Sequence, residues 1–176
     1  MGLADRFLPY YTVEERNNWQ GDWELIEGIP YALASPSVEH QRVLAKLIVE
    51  ISKSLENCNC EVLPDTDYYI SEDTVVRPDI LVICKEVKEK ITITPEIIFE
   101  IVSILSVKMD EHLKFELYER EKVKYYVLVY PSKRKHIKIF KLVDNQYQKA
   151  FETIEEKFNF ELDNCLITLD FSKIWN

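Results

Sequence analysis

The sequence predicts an α/β sandwich in which helices flank a central mixed β-sheet. Apolar residues recur at three- and four-residue spacing from Ser37 onward, which predicts a long helix with one apolar face. Two strongly apolar segments at 75–84 and 96–102 predict central strands. A second helical stripe over 108–122 is followed by further strands, and this order of elements is typical of the architecture.

The first half of the chain begins with a short predicted helix, since Thr12 and Glu15 have the spacing of a capping box. Apolar residues alternate on both sides of Glu27 and Gly28, which predicts a hairpin. A strand is predicted at 61–70, before the two central strands. The long helix carries one apolar stripe: Val43, Leu44, Leu47, Ile48, Ile51 and Leu55.

The second half continues with the helix over 108–122. Its predicted apolar stripe contains Met109, Leu113 and Leu117, and its predicted polar face contains Asp110, Lys114 and Glu121. A strand follows in KYYVLVYP, a hairpin is predicted around the turn Asp144-Asn145, and CLITLDF predicts a last short strand.

The length of 176 residues fits one domain, since a single core typically organises about 100–200 residues. Hydrophobic residues make up 47% of the chain, which is enough for such a core. No linker or internal repeat divides the sequence. We therefore predict one domain at 1–176, with an N-terminal helix and hairpin at 1–36, a core region at 37–130 and a C-terminal hairpin and tail at 131–176.

The formal net charge of −9 weakens the case for general binding to nucleic acid through neutralised phosphates. It does not exclude nucleic acid as a partner, because a local basic surface or metal ions held by carboxylates can offset phosphate repulsion. The distribution of charge therefore matters more than its sum.

The amino terminus has no apolar signal core, and no apolar run approaches the roughly 18–20 residues that span a membrane. We therefore expect a cytoplasmic protein with no membrane partner. Cys58, Cys60, Cys84 and Cys165 form no CxxC pair, which predicts reduced thiols that serve packing. The alternative is a zinc site to which Cys58 and Cys60 contribute two thiolates.

A carboxylate interrupts the apolar segment 75–84. An ionised carboxylate is costly to bury without a partner, so Asp79 either emerges at the end of its strand or faces a cation. The neighbouring Pro78 favours a bend or a rim position, because proline has no backbone N–H to donate. In the first alternative Asp79 caps the strand end near Arg77, and in the second it belongs to a site.

Glu100 is a second carboxylate in an apolar strand. If Asp79 and Glu100 converge at one edge of the sheet, they form an oxygen-ligand site suited to Mg²⁺ or Mn²⁺, which activates water and neutralises charge on a phosphodiester. Lys114 on the next helix would then orient the water or stabilise the transition state. The alternative for Lys114 is a surface pair with Asp110, which contributes about 0.2–0.5 kcal/mol.

The order of three segments, RPD, FEIVS and DEHLK, resembles the PD-(D/E)XK nuclease fold. More narrowly, nearly the whole chain resembles the Uma-type family of restriction-endonuclease-like proteins. WELIEGIPYALASPSVEHQ resembles that family's amino-terminal hairpin and helix start, and LYEREKVKYYVLVYP resembles its passage from helix to strand. The resemblance implies a restriction-endonuclease-like sandwich, with 37–130 as its catalytic core, and a metal-dependent DNA endonuclease that uses Mg²⁺ or Mn²⁺.

The same resemblance implies roles for three residues. Asp79 corresponds to the motif aspartate and Glu100 to the motif acid, and both would be catalytic and would bind the metal. Val102 stands where the simplest motif has its lysine, and the family resemblance instead places the catalytic lysine at Lys114 on the helix.

Other positions depart from the family or are accessory. Residues 103–106 read SILS where the family has serine-proline-serine, Ile29 replaces an acid and Tyr130 replaces an aspartate. None of these departures removes a proposed catalytic group, yet each is a position where a changed pocket or lost activity could arise. The accessory candidates of the site are His40, which matches a family histidine, and two reserve acids, Glu24 and Asp67. For His40, a structural role at the start of the helix is the alternative.

The concentrated basic segment of the sequence is SKRKHIK at 132–138. Lys133, Arg134 and Lys135 are candidate phosphate contacts, and a solvated hairpin tip is the alternative. No recognised base-reading motif is present, so the sequence predicts DNA as a partner without predicting a cleavage site.

Two further functions compete with the endonuclease. One is a catalytically decayed module that binds nucleic acid or protein in a mobile-element or defence system. The other is a domain that acts only with a larger protein partner. A homodimer is also expected, because cutting both strands benefits from two sites and twofold pairing is the commonest solution.

Overall fold

The structure is a computed structural model that describes residues 9–132, 134–163 and 165–175. It divides the chain into two compact units. The first unit comprises the residues up to Ser35 together with Asp67–Arg77 and Val87–Ile93. The second comprises Pro36–Thr66, Pro78–Glu86 and the residues from Thr94 onward. The prediction of a single domain stays a prediction.

The first unit contains a short helix and a four-stranded sheet. The helix α1 (Val13–Arg16) starts at a capping box in which Thr12 and Glu15 bond reciprocally, as predicted. The strands of its sheet lie in the order β2-β1-β5-β4. Their bounds are β1 (Trp23–Ile26), β2 (Ile29–Ala32), β4 (Tyr68–Ser71) and β5 (Thr74–Val76). The predicted hairpin around Glu27 and Gly28 is confirmed, and both residues have the positive φ that a primed turn requires.

The second unit is built on a six-stranded sheet with the order β10-β9-β8-β7-β6-β3. Its strands β7 and β8 are parallel and its other neighbours are antiparallel, so the sheet is mixed, as predicted. The bounds are β3 (Glu61–Pro64), β6 (Ile80–Ile83), β7 (Ile97–Ile101), β8 (Tyr125–Tyr130), β9 (His136–Val143) and β10 (Gln146–Thr153).

Two helices and a hairpin complete the second unit. The helix α2 (Val38–Ser54) buries the predicted apolar stripe, with Ile48 only partly buried. A π-helix (Met109–Leu113) runs directly into α3 (Lys114–Arg120). The strands β11 (Lys157–Leu162) and β12 (Cys165–Asp170) form a separate hairpin, and a 3₁₀ turn (Phe171–Lys173) follows. The predicted strand in CLITLDF is confirmed, whereas β11 was missed.

In the six-stranded sheet of the second unit, Glu100 and the core residues of β7 lie on opposite faces. Ile97, Phe99 and Ile101 of β7 pack in the core with α2 and the β11–β12 hairpin. Because side chains alternate along a strand, Glu100 points to the opposite face. Glu100 therefore lies on the face of the sheet that is turned away from α2 and the β11–β12 hairpin.

Two predicted strands are wrong as single elements. The segment 61–70 is divided into β3 and β4, which lie in different sheets. The break follows Pro64, and Asp65 has a φ of 46°. The segment 75–84 is divided into β5 and β6 in the same way, and Pro78 lies in the break. Proline cannot donate to a strand ladder, so each break falls where the sequence carries one.

The predicted faces of the second helix are wrong except at Leu117, which is buried as predicted. Met109 and Leu113 are only half-buried, whereas Asp110 and Lys114 are buried at 2% and 4% exposure. The buried face therefore consists of Asp110, Lys114, Leu117 and Tyr118. A surface location for Asp110 and Lys114 is excluded by this burial.

The cysteines differ from the expectation of reduced thiols. Cys58 is bonded to Cys165, and Cys60 is bonded to Cys84. Cys60 and Cys84 flank the paired residues Glu61 and Ile83 of β3 and β6, so the strand register brings them opposite each other. All four thiols are used in these two bonds, which leaves none for the zinc alternative. None of the helices in the described ranges is long and apolar enough to cross a membrane.

Candidate active site

Asp79 lies immediately before β6, where the chain enters the sheet after Pro78. Its Oδ2 accepts a hydrogen bond of 2.6 Å from the backbone N–H of Ile101, at the end of the adjacent β7. Its Oδ1 lies 3.2 Å from Nε2 of His40. The side chain is 18% exposed, so this carboxylate is at the rim of the sheet with partners on two elements.

Glu100 is on β7 and is 3% exposed. Its Oε1 accepts hydrogen bonds from Nζ of Lys114 and from the hydroxyl of Tyr118, each at 3.0 Å. Its Oε2 lies 3.4 Å from the backbone N of Asp79. Because Ile80 pairs with Phe99, the residues before and after this pair, Asp79 and Glu100, are neighbours across the two strands. The register of the sheet thus brings the two acids together.

Lys114 is the first residue of α3, and its ammonium forms a buried ion pair with Glu100. The helix turns Asp110, Lys114 and Tyr118 to the same side, since residues four apart share a helix face. The preceding π-helix adds a residue to one turn, and such turns are frequent at functional sites. Lys114 therefore reaches Glu100 of β7 from the neighbouring helix α3.

Asp110 is a buried acid, although the helical pattern predicted it on the polar face of the helix. Its backbone carbonyl accepts a hydrogen bond of 2.9 Å from the hydroxyl of Tyr126. Burial raises the pKa of Tyr126 well above its ordinary value, and the negative charges of Glu100 and Asp110 raise it further. Tyr126 therefore remains a neutral donor. A carboxylate four residues before the lysine was the available sequence signal for this position.

His40 is in the first turn of α2, whose N-cap is Ser37. Burial lowers the pKa of His40, but its hydrogen bond to Asp79 and the charges of Asp79, Asp65 and Asp110 outweigh that effect and raise the pKa above its ordinary value. Its Nδ1 is buried and makes no hydrogen bond within the part of the chain that the structure describes. The helix start thus directs one imidazole nitrogen at the Asp79 carboxylate.

The reserve acids Glu24 and Asp67 belong to the first unit. Glu24 is buried and accepts a hydrogen bond of 2.7 Å from the backbone N–H of Arg77. Asp67 forms ion pairs of 2.8 Å with both Arg16 and Arg77. These contacts give both acids partners within their own unit, and their accessory role in the site stays a prediction.

The basic segment is only partly within the described residues, because Lys133 lies outside them. Arg134 and Lys135 are exposed, and Nζ of Lys135 lies 5.7 Å from the ring centroid of Trp175. His136 of this segment stacks on Tyr130, with ring centroids 4.1 Å apart. The phosphate contacts of the basic segment stay predictions.

The two carboxylates have the donor chemistry that a divalent ion requires. Among the residues described, no group of three or more His, Cys, Asp and Glu side chains is arranged to hold a metal. Mg²⁺, however, is usually bound through one or two carboxylates and keeps several waters. Asp79 and Glu100 supply two such hard oxygen donors beside each other, and each carboxylate oxygen can accept more than one contact. This donor set fits Mg²⁺ or Mn²⁺.

Comparisons with known proteins identify a family and a shared fold. The sequence model of the Uma2 family, described as "Putative restriction endonuclease", matches residues 6–163. A crystal structure from Anabaena variabilis, titled as a putative nuclease belonging to DUF820, has a TM-score of 0.73 and 14% sequence identity. The similarity covers 94% of this chain and 97% of that chain, and at this identity it shows a shared fold. The comparison with curated proteins gave no match.

Proposed function

The chain belongs to the Uma2 family, and on that premise we propose that it is a metal-dependent DNA endonuclease that hydrolyses phosphodiester bonds. The observation that carries this proposal is the convergence of Asp79, Glu100 and Lys114. Oε1 of Glu100 binds the ammonium of Lys114 at 3.0 Å, and Oε2 of Glu100 lies 3.4 Å from the backbone N of Asp79. Ordinary core packing does not require two acids and a lysine at one point, because unpaired buried charge is costly.

Asp79 and Glu100 would hold the divalent ion, which in such sites activates water and neutralises charge on the phosphodiester. The protein's own contacts position both ligands. The backbone N–H of Ile101 and the imidazole of His40 hold the two oxygens of Asp79. The hydroxyl of Tyr118 holds Oε1 of Glu100. These contacts keep the carboxylates in place before substrate arrives, which is the condition for electrostatic catalysis.

Lys114 would act on the water or on the phosphate. Its ammonium is held beside Glu100 by the ion pair, and its 5% side-chain exposure limits its contact with bulk water. A cation in such a site stabilises negative charge that develops in the transition state, because the surrounding dielectric is low. The lysine reaches the acid from α3, so Val102 does not remove this function.

The second candidate is a catalytically decayed module that binds nucleic acid or protein. It is favoured by the burial of both members of the Glu100–Lys114 pair, since a fully satisfied buried pair also serves structure. For such a module, the net charge of −9 favours a protein partner over nucleic acid. A homodimer and a larger protein partner remain predictions.

The first test is a Mn²⁺ soak of crystals examined by anomalous diffraction. We expect a peak between Asp79 and Glu100, with metal–oxygen distances of about 2.0–2.2 Å. Crystals of Asp79→Asn soaked in the same way are the control and should lose most of the peak. Wild-type crystals without a peak at these carboxylates would contradict the proposed metal site.

The second test is Mg²⁺-dependent cleavage of supercoiled and single-stranded DNA. Lys114→Ala should abolish cleavage and leave Mn²⁺ affinity largely unchanged, because the lysine acts on the reacting groups. Lys108→Ala, an exposed lysine on the same segment, is the matched control and should cleave normally. Full activity of the Lys114 variant would discard the role of this lysine. A wild type inert on every nucleic acid would favour the binding module.

A further inference from the structure

Ile104 and Leu105 form an exposed apolar tip in the second unit. Their exposures are 80% and 84%, higher than those of the other large hydrophobic residues that are exposed in the described ranges. Those other residues are 51–67% exposed and none is adjacent to another in sequence. Isolated surface hydrophobics need no explanation, but two adjacent and almost fully solvated aliphatic side chains do.

The tip is fixed by a reciprocal pair of serine contacts. The backbone N–H of Ser106 donates to Oγ of Ser103 at 3.1 Å, and the backbone N–H of Ser103 donates to Oγ of Ser106 at 3.0 Å. This is the arrangement of a capping box, which fixes the first turn of a helix. The backbone N–H of Val107 also donates to the carbonyl of Ser103 at 3.0 Å. Ile104 and Leu105 are therefore presented on an ordered turn.

The turn connects two elements of the candidate active site. Ile101, whose N–H binds Asp79, precedes it by two residues, and the N–H of Asp110 donates to the carbonyl of Ser106 at 2.9 Å. Ile104 follows Glu100 by four residues, so their Cα atoms are at most about 14 Å apart. Successive phosphates of one DNA strand rise by about 3.4 Å along the helix axis, so the tip lies within about four base steps of a phosphate held at the acids.

We propose that Ile104 and Leu105 form a wedge that inserts between stacked bases of the nucleic acid next to the phosphate at the site. This inference rests on the proposed function. Proteins that bend or unstack DNA commonly insert leucine or isoleucine between base steps, and the cost of unstacking is offset by contacts to the deformed nucleic acid. Burying both aliphatic side chains between bases removes the apolar surface that the free protein exposes.

The size and surroundings of the tip favour nucleic acid as the occupant. Two side chains are too small for a protein interface, since a stable one buries about 800 Å² on each partner. The tip also begins three residues after Ile101, whose backbone N–H binds Asp79, so the molecule on which the site acts is the one within reach of the tip. A wedge also opens the duplex without reading its sequence, which suits a protein with no recognised base-reading motif.

The wedge is tested with a short duplex that contains 2-aminopurine, whose fluorescence rises when its stacking is lost. The parent protein carries Asp79→Asn to prevent cleavage. The tip variant adds Ile104→Ser and Leu105→Ser. The matched control adds Ile154→Ser and Leu166→Ser, two apolar residues exposed at 57% and 59% elsewhere in the same unit. Urea unfolding confirms that all three proteins remain folded.

We expect the parent and the control to raise the fluorescence on saturation, and the tip variant to lose this rise and to bind the duplex about tenfold more weakly. An equal rise with the tip variant would overturn the wedge. Binding by the parent without any rise would overturn the wedge while leaving the proposed function intact. A parent that binds no nucleic acid would overturn both.

Discussion

Each unit contains a cluster of charged side chains, and the two clusters are paired differently. In the first unit, guanidinium groups face carboxylates. Arg16 and Arg77 each bind one oxygen of Asp67 at 2.8 Å, and Arg77 also binds Asp22 at 2.7 Å. In the second unit, the carboxylates of Asp79 and Glu100 face one ammonium, one imidazole, a phenol and backbone N–H groups.

The difference indicates which cluster serves structure. The fork of a guanidinium matches two carboxylate oxygens, and the two arginines balance the charges of Asp22 and Asp67. Burial lowers the pKa of Arg77, but its contacts with Asp67 and Asp22 raise the pKa above its ordinary value, as expected for a stable ion pair. Among the contacts of the described residues, Asp79 and Glu100 instead carry two negative charges beside the permanent cation Lys114, and carboxylate oxygens in such a cluster can bind a further cation.

The largest expected effect concerns the buried pair of the second unit. Lys114→Met should lower the free energy of unfolding by about 3–5 kcal/mol, because it leaves Glu100 buried without its cation. Glu100→Gln should also destabilise, and the double variant should lose less than the sum of the two. Urea unfolding measures all three. Lys124→Met is the control, since its partner Asp163 is 91% exposed, and should cost at most about 1 kcal/mol.

If Lys114→Met lowered the free energy of unfolding by no more than Lys124→Met, the Glu100–Lys114 pair would behave like a surface pair. The contrast between the two clusters would then be wrong. A double variant as unstable as the sum of its parts would show that Lys114 and Glu100 act independently.

A smaller effect is expected from Arg77→Lys in the first unit. A lysine keeps the charge but lacks the planar fork that serves Asp67 and Asp22 together, so we expect a loss of about 1–2 kcal/mol in unfolding free energy. Arg120→Lys, at a side chain that is 54% exposed, is the matched control and should change stability by less than about 0.5 kcal/mol. Equal stability of Arg77→Lys and wild type would show that charge alone holds this cluster.

The smallest effect concerns acid stability. Burial raises the pKa of Asp67, and the hydrogen bonds and charges of Arg16 and Arg77 outweigh this and hold the pKa below its ordinary value. A carboxylate with a depressed folded pKa contributes stability above its unfolded pKa of about 3.9, and this contribution is lost as pH falls through the folded value. Wild type should therefore lose stability more steeply below about pH 4 than Asp67→Asn. Parallel unfolding profiles of the two proteins in a pH series would contradict this.

Local patterns predicted the elements that depend on neighbours in sequence. The capping box at Thr12, the hairpin turns at Glu27-Gly28 and Asp144-Asn145 and the apolar stripe of α2 were all predicted and are all present. Each of these features is encoded within a few residues, because capping and turn geometry depend on local hydrogen bonds and on positive φ. Prolines also mark the strand breaks. The apolar pattern nevertheless predicted one continuous strand at 61–70 and another at 75–84.

The second helix shows where local pattern failed. The 3.6-residue period predicted Met109, Leu113 and Leu117 as the buried stripe, whereas the buried face is Asp110, Lys114, Leu117 and Tyr118. The π-helix adds one residue to a turn, and one residue rotates a helix face by about 100°. Lys114 is stabilised in its buried position by the ion pair with Glu100, which lies on β7. The residue pattern within the helix therefore carries no information about this interaction.

The sequence by itself determined which residue types are available at the site: two carboxylates in apolar strands and a lysine on the following helix. The tertiary structure decided how they meet. Antiparallel pairing of Ile80 with Phe99 makes Asp79 and Glu100 neighbours, the buried face of α3 brings Lys114 within 3.0 Å of Glu100, and the start of α2 brings His40 within 3.2 Å of Asp79. Strand register and helix rotation depend on packing between distant segments, because an ion pair or a ladder forms only when both partners are in place.

The disulfides have the same origin. Cys58–Cys165 and Cys60–Cys84 join residues that are 107 and 24 positions apart in sequence, and the spacing of the cysteines did not predict these bonds.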